Sequence, residues 1–291
     1  MKIAASEMII NGDDSIFHLH LKPEELADKV ILVGDPSRVG MVASFFSRCE
    51  VEKSSREFYT VTGYYKGGRF TVLSTGIGSD NIDIVMNELD ALANVDFKSR
   101  EIKERKKSLT ILRIGTCGAL QPDIKLGTPL FSNISIGFDG VLNWYAGRER
   151  VVIAEAEELF KKHLKWNSHL PDPYFVEGDS TLAALFERDT IGGMTISAAG
   201  FYGPQGRVVR MGLAMPDMLD LCESFRYKGY RINNFEMEGA ALAGLSHHLG
   251  HKAATLCCVI ANRHNHNALP DYKGKVREVV ELALERLSAM E

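Results

Sequence analysis

No sign of charge dominates this chain. Its 34 lysines and arginines stand against 38 aspartates and glutamates, a net −4 over 291 residues. No molecule-wide field therefore draws it to nucleic acid or to an anionic membrane, and an anion must be met by a local site. Long apolar runs are also missing. No segment reaches the ~18 residues of a membrane span, and Met1-Lys2-Ile3-Ala4-Ala5 opens no secretory h-region, so a cytoplasmic protein is expected. The five cysteines, Cys49, Cys117, Cys222, Cys257 and Cys258, are odd in number and form no CxxC pair. Reduced, buried thiols are expected, and a nucleophilic Cys117 lacks an adjacent histidine or acid motif. Internal repeats and low-complexity linkers are absent too. With 45% hydrophobic residues the chain can bury a sizeable core, and a single domain over 1–291 is expected.

What is present is an alternation. Apolar, β-branched runs at Val30 to Val33, Phe70 to Leu73, Leu109 to Ile114, Pro129 to Ile136, Met194 to Ala198 and Thr255 to Ile260 read as buried strands. Between and after them, helical spacing links Ile82, Val85, Met86, Leu89 and Leu92, then Val152, Ala156, Phe160 and Leu164, then Ala240 to Leu249 and Val276 to Met290. Strands alternating with helices predict an α/β fold of three α/β/α layers, with functional loops at the carboxyl ends of the strands. The run 98–107, with six basic residues against two acidic, reads as a solvated helix extension.

The chemistry concentrates at five places. In Leu112-Arg113-Ile114-Gly115-Thr116-Cys117-Gly118 an arginine interrupts an apolar strand. Its desolvation cost requires an anionic partner, either a phosphate approached also by glycine N–H groups or an internal carboxylate. Gly34-Asp35-Pro36-Ser37-Arg38 combines a glycine, a helix-starting proline and a guanidinium, a second anion cradle. Ser74-Thr75-Gly76-Ile77-Gly78-Ser79-Asp80 reads equally as a strand-to-helix connection or a ligand loop. Phe201-Tyr202-Gly203-Pro204-Gln205-Gly206-Arg207 offers a ring face, an amide and a fixed cation, the mixture a flat heterocycle with carbonyl and imide groups needs, although a solvated surface loop has the same composition. Finally, Asn234-Phe235-Glu236-Met237-Glu238-Gly239 carries two carboxylates at spacing two, suited to vicinal hydroxyls such as those of ribose; helix capping by Glu238 explains only one of them.

Taken in order, Phe17-His18-Leu19, Gly34-Asp35-Pro36 with Arg38, Arg56-Glu57-Phe58, Ser74 to Gly78, Arg113 to Thr116, Phe201 to Arg207, Glu236-Met237-Glu238 and Val259-Ile260 with Asn262-Arg263 resemble the nucleoside phosphorylases of the uridine phosphorylase type nearly from end to end. That resemblance implies a central mixed sheet and a homo-oligomer with sites at subunit interfaces, a dimer as the smallest unit and a hexamer as the larger alternative. Ser79-Asp80-Asn81 and the basic run resemble the dimeric subgroup. The implied activity is phosphorolysis of uridine, with 2′-deoxyuridine as a further substrate, in pyrimidine nucleoside salvage. Phosphate is a co-substrate, and neither a redox cofactor nor a metal is required. By the same resemblance Gly34, Arg38, Arg113 and Thr116 bind phosphate, with Arg56 from a neighbouring subunit. Glu236, Met237 and Glu238 hold ribose, with the neighbour's His18 at the 5′ end. Gln205 and Arg207 read uracil, and Phe201 packs on the ring. Arg113, Thr116, Arg207 and Glu238 form the catalytic set.

Three alternatives stay open. Purine-cleaving relatives place an aspartate after the late strand, where Asn262 and Arg263 stand here. A hydrolytic nucleosidase has little use for Arg38, Arg56 and Arg113 together. A catalytically silent nucleoside-binding protein would keep the fold without the rate. The tract His264-Asn265-His266-Asn267 reads as a polar loop rather than a metal site.

Overall fold

The computed structural model, which describes residues 2–290, joins the apolar runs into a twelve-stranded mixed sheet with α-helices packed against it. At its centre Thr110–Ala119 lies parallel to Lys29–Val33 on one side and to Lys252–Asn262 on the other. Both faces of these strands are covered, which is why they read as continuous apolar runs rather than as alternation: Val30 to Val33 are each wholly buried. The expected helices form at Ser79–Asn94, Ala154–Leu164, Gly239–Leu249 and Lys273–Ser288.

The sheet does not stay open. From Lys252–Asn262 it passes antiparallel to Pro129–Gly137, then parallel to Ile191–Ser197 and to Tyr230–Glu236. The last strand then pairs back onto the first, with Asn234 opposite Ala119 and Phe235 opposite Gly118. Five strands thus close into a ring. The closure sets the arginine strand beside the acidic motif, with Arg113 and Glu238 in contact across 125 positions of chain, and so assembles the site. It also changes the reading of Gly115 to Gly118: these residues are not a loop after the strand but its continuation, since the strand runs on to Ala119.

Two segments depart from their sequence reading. Residues 98–107 do not extend the preceding helix. Asn94 is buried and its side chain takes the Lys107 carbonyl at 3.0 Å and the Lys107 N–H at 2.6 Å, so the helix ends and the chain turns back. Val95–Asp96 then pairs with Glu101–Ile102, Asp96 Oδ1 accepts from Lys98 N and Ser99 N, and Arg100 donates to the carbonyls of Ile3, Ala4 and Met8. The hairpin of Arg48–Ser55 and Phe58–Tyr65 was not expected at all. Its first strand is a mostly exposed edge and carries no apolar run to signal it.

Candidate active site

A cavity of about 590 Å³ opens at the carboxyl ends of the central strands. At one end stand two arginines. Arg38 belongs to the helix Pro36–Ala43, which begins immediately after Gly34: Asp35 caps it by accepting from Ser37 N at 2.8 Å, and Pro36 occupies its first turn. The helix start aims Arg38 inward, where Nη1 donates to the Ile114 carbonyl at 3.2 Å. Arg38 is 8% exposed and Arg113 4%. Burial, with the charge of Arg113 adding to it, lowers the Arg38 pKa.

Arg113 meets both acids of the Glu-Met-Glu motif. Its Nη2 donates to Glu238 Oε2, and its Nη1 lies 3.2 Å from Glu236 Oε2. Burial disfavours the guanidinium charge, but Glu238 and then Glu236 outweigh it, and the net effect raises its pKa. The internal-carboxylate reading of Arg113 is therefore realised. It does not exhaust the side chain: Nε and Nη1 are buried and take up no hydrogen bond with the described residues. Donors left buried and unsatisfied cost about 1–3 kcal/mol each, and such a cost points to a ligand.

The two carboxylates have separate tasks. Glu236 caps the helix Gly239–Leu249, accepting from Glu238 N at 2.9 Å and from Gly239 N at 2.9 Å, with Ser197 Oγ also donating to it. Glu238, which directly precedes the helix, makes no side-chain cap bond. Its Oε2 faces Arg113, and its Oε1 accepts from Gly78 N at 2.8 Å. Gly78 has φ +105° and Gly76 φ +70°, conformations suited to glycine, so the glycine loop is both the entry to a helix and a wall of the site. Burial holds the Glu238 pKa above the usual carboxylate range, Glu236 pushes the same way, and Arg113 opposes both.

Gly115 leaves room for this arrangement, because a Cβ there would collide with Arg113 Nη1 and lie 3.2 Å from Cys257 Sγ. Gly115→Ala should displace the guanidinium without changing any charge. The expected outcome is a phosphate KM raised at least about tenfold in steady-state kinetics, a loss of the size one charge-assisted bond carries.

At the other end of the cavity Gln205 and Arg207 sit on the turn after Ile191–Ser197. Arg207 Nη1 donates to Gln205 Oε1 at 2.5 Å and to the Phe201 carbonyl at 2.7 Å, and its guanidinium stacks 3.8 Å from the centre of the Phe201 ring. The bond to Oε1 leaves the Gln205 amide N–H free of Arg207. Burial and then the neighbouring Arg263 pull the Arg207 pKa down to about 10, so it remains a cation at neutral pH. Arg263 itself donates to the carbonyls of Gln205 at 3.0 Å and Gly206 at 3.3 Å, tying the turn to the strand Lys252–Asn262.

Of the residues singled out from the sequence, Gly34, Arg38, Arg113, Thr116, Phe201, Gln205, Arg207, Glu236, Met237 and Glu238 all line this one cavity. His18 and Arg56 do not. His18 lies in a second hollow, its Nδ1 2.6 Å from Glu88 Oε1, with Phe17 beside it and the Arg56 guanidinium 6.0 Å from the Phe17 ring. Cys117 borders the cavity, but burial, followed by its contact with Cys257, pushes its thiol well above the ordinary value, so it is no thiolate. Asn262 turns away, its amide donating to the carbonyls of Gln121 and Ile124 at 2.9 Å each. His264 pairs with Glu223 at 2.9 Å, and among the described residues no three histidine, cysteine or acidic side chains cluster as a metal would need. Sequence reasoning gave no site role to Asp35, Ile77, Ile260 or Tyr272, which also line the cavity; the first three sat inside stretches read for their neighbours, and Tyr272 is a single residue outside any motif.

An anion end joined to a heterocycle end defines a class, and the sequence comparison agrees with it. Residues 28–290 match the Phosphorylase superfamily, and the chain belongs to that family. It is 30% identical to a uridine phosphorylase of Thermococcus kodakarensis over 267 residues, 90% of this chain and 83% of that one. A purine nucleoside phosphorylase of DeoD type from a Thermoanaerobacter species is 40% identical, but over 110 residues only, 38% of this chain and 42% of that one. Among solved structures, a Trypanosoma brucei nucleoside phosphorylase described as showing uridine phosphorylase activity superposes with a TM-score of 0.86 at 27% identity, covering 97% of this chain and 100% of that one.

Proposed function

We propose that this chain cleaves uridine with inorganic phosphate, giving uracil and ribose 1-phosphate. The observation that carries the reading is the buried Arg113 guanidinium, whose Nε has no hydrogen-bond partner among the described residues and whose Nη1 has only the 3.2 Å ion-pair contact with Glu236, in a cavity that also holds Arg38, Gln205 and Arg207. Phosphate binds between Arg38, Arg113, Thr116 and the backbone at Gly34. The ribose hydroxyls meet Glu238 and Met237, with Glu236 holding the turn through its cap. Uracil lies against Phe201, with its carbonyl and imide edge on Gln205 and Arg207.

The reaction follows from where charge develops. As the C1′–N1 bond stretches, positive charge grows on the sugar ring and negative charge on the base. A phosphate oxygen stabilises the first and then bonds to C1′; the electron pair of the broken bond leaves with uracil, whose anion Arg207 stabilises until it takes a proton from solvent. Preorganisation of this sort supplies rate without a covalent enzyme intermediate.

His18 and Arg56 act from a neighbouring subunit, as the 5′-hydroxyl and phosphate contacts. In support, they cluster around Phe17 and apart from the cavity of their own chain. A pyrimidine is favoured over a purine because the longest relatives carry the uridine name and because Asn262, at the position where purine enzymes bear an acid, is consumed by two backbone carbonyls. Phosphorus NMR of a uridine and phosphate reaction tests the reading. A new sugar-phosphate resonance growing in step with free uracil is expected; free ribose instead would make the chain a hydrolase, and no product would leave it a binding protein.

A further inference from the structure

The anion end of the cavity has a wall that no motif above accounts for. Tyr272, the residue that starts the helix Lys273–Ser288, lines the same cavity as Gly34, Arg38 and Arg113. The helix it starts packs against the helix Pro36–Ala43 that carries Arg38. Its position is fixed by three contacts. The Tyr272 carbonyl accepts the first helical hydrogen bond from Val276 N at 3.0 Å. Four residues on from Lys273, Arg277 stacks 4.3 Å over Phe45 and donates to Ser44 Oγ at 3.2 Å, which clamps this helix to the end of the one carrying Arg38. The Tyr272 ring, half-buried, packs against the core beneath.

The hydroxyl is the part left over. In this chain the other well-packed phenols donate to carboxylates: Tyr65 to Glu285, Tyr174 to Asp139 and Tyr227 to Glu155, at 2.6, 2.8 and 3.0 Å. Tyr272 instead lines a cavity whose arginines cannot accept a hydrogen bond and whose three carboxylates are already engaged, Asp35 by Ser37, Glu236 by Ser197 and the N–H groups of Glu238 and Gly239, and Glu238 by Arg113 and Gly78 N. An O–H donor beside two arginines and without a protein acceptor is complementary to a multiply charged oxyanion with acceptor oxygens to spare.

We propose that Tyr272 is a phosphate-contacting residue, its hydroxyl donating to an oxygen of the phosphate co-substrate held by Arg38 and Arg113. The assignment rests on the phosphorolysis reading. It adds a donor from the C-terminal helix to the set supplied by the strand ends. A phenol adds no positive charge, so it discriminates phosphate from chloride or carboxylates by hydrogen-bond geometry while leaving release of ribose 1-phosphate fast.

Calorimetric titration with inorganic phosphate, on wild type and on Tyr272→Phe, tests the contact. Phenylalanine keeps the packing ring and removes only the hydroxyl, so the fold is retained. A phosphate Kd weakened about tenfold in the variant, the size of one hydrogen bond to a charged group, together with a phosphate KM raised by a like factor while the uridine KM stays within about twofold, is expected. An unchanged Kd would overturn the proposal, as would a variant whose uridine KM moves and whose phosphate KM does not, which would mark a merely structural role. Failure of the underlying reading looks different: wild-type protein would then release uracil without phosphate or not at all.

Discussion

Arg113→Met should abolish phosphate-dependent turnover, by about 10³-fold or more, and should also destabilise the protein. The first effect is the loss of a charged donor from the proposed phosphate site, and removal of one such group costs ~10²–10³ in kcat before the loss of phosphate affinity is added. The second effect comes from the carboxylates. Glu236 and Glu238 are each 3% exposed and share this one guanidinium; taking it away leaves uncompensated buried charge, at about 3–5 kcal/mol. The pH dependence distinguishes this cause from simple loss of packing, because Met fills most of the arginine's volume. Burial already holds Glu238 above the usual carboxylate value, and without Arg113 it rises further. A carboxylate whose folded-state pKa lies above its unfolded value penalises the fold once pH exceeds the unfolded value, and the penalty fades as pH falls back towards it. Urea denaturation should therefore show a smaller gap between variant and wild type at pH 5 than at pH 7. An equal gap at both would mean that the destabilisation is not electrostatic.

Arg207→Ala should lower kcat by about 10²–10³, with the phosphate KM little changed. Arg207 makes none of the contacts that hold Arg38 and Arg113: it is held in place by Gln205 Oε1, the Phe201 carbonyl and the Phe201 ring. The role proposed for it is to stabilise negative charge on the departing base. A base that already stabilises that charge needs it less, so 5-fluorouridine, whose base is the more acidic, should lose less rate than uridine in the same variant. Comparison of kcat for the two nucleosides in wild type and variant checks this. An equal loss for both would reduce Arg207 to a positioning role.

Much of this site was legible because its residue types are costly in their local context. An arginine within Leu109 to Ile114, two glutamates between a strand and a helix, and a guanidinium beside a helix-starting proline each announce a ligand or an internal partner. Their cavity-lining neighbours Gly34, Phe201 and Gln205 came with the motifs. The strand and helix runs were legible for the usual reason, that buried parallel strands are uniformly apolar and amphipathic helices keep their period.

What was not legible depended on distant closure. Nothing local in Gly118-Ala119 indicates that Asn234 and Phe235 will pair with them, yet that pairing decides that Arg113 meets Glu236 and Glu238. For the same reason the division of labour between the two glutamates was not legible: Glu238 precedes the helix directly, but once Arg113 and Gly78 N engage it, Glu236 is left to take the helix N–H groups. The turn at 98–107 followed from a buried asparagine side chain competing with the helix at Asn94, a contact whose partner lies 13 residues on. Tyr272 was invisible because a lone tyrosine near the start of a helix carries no pattern; only its shared cavity with Arg38 gives it meaning.

The most direct test of the account is ultraviolet-monitored cleavage of uridine by the purified protein with and without inorganic phosphate, with inosine run alongside. Uracil release that requires phosphate, with inosine inert, is the predicted result. Release at the same rate without phosphate would contradict the role given to Arg38 and Arg113, and cleavage of inosine in preference to uridine would contradict the role given to Gln205 and Arg207.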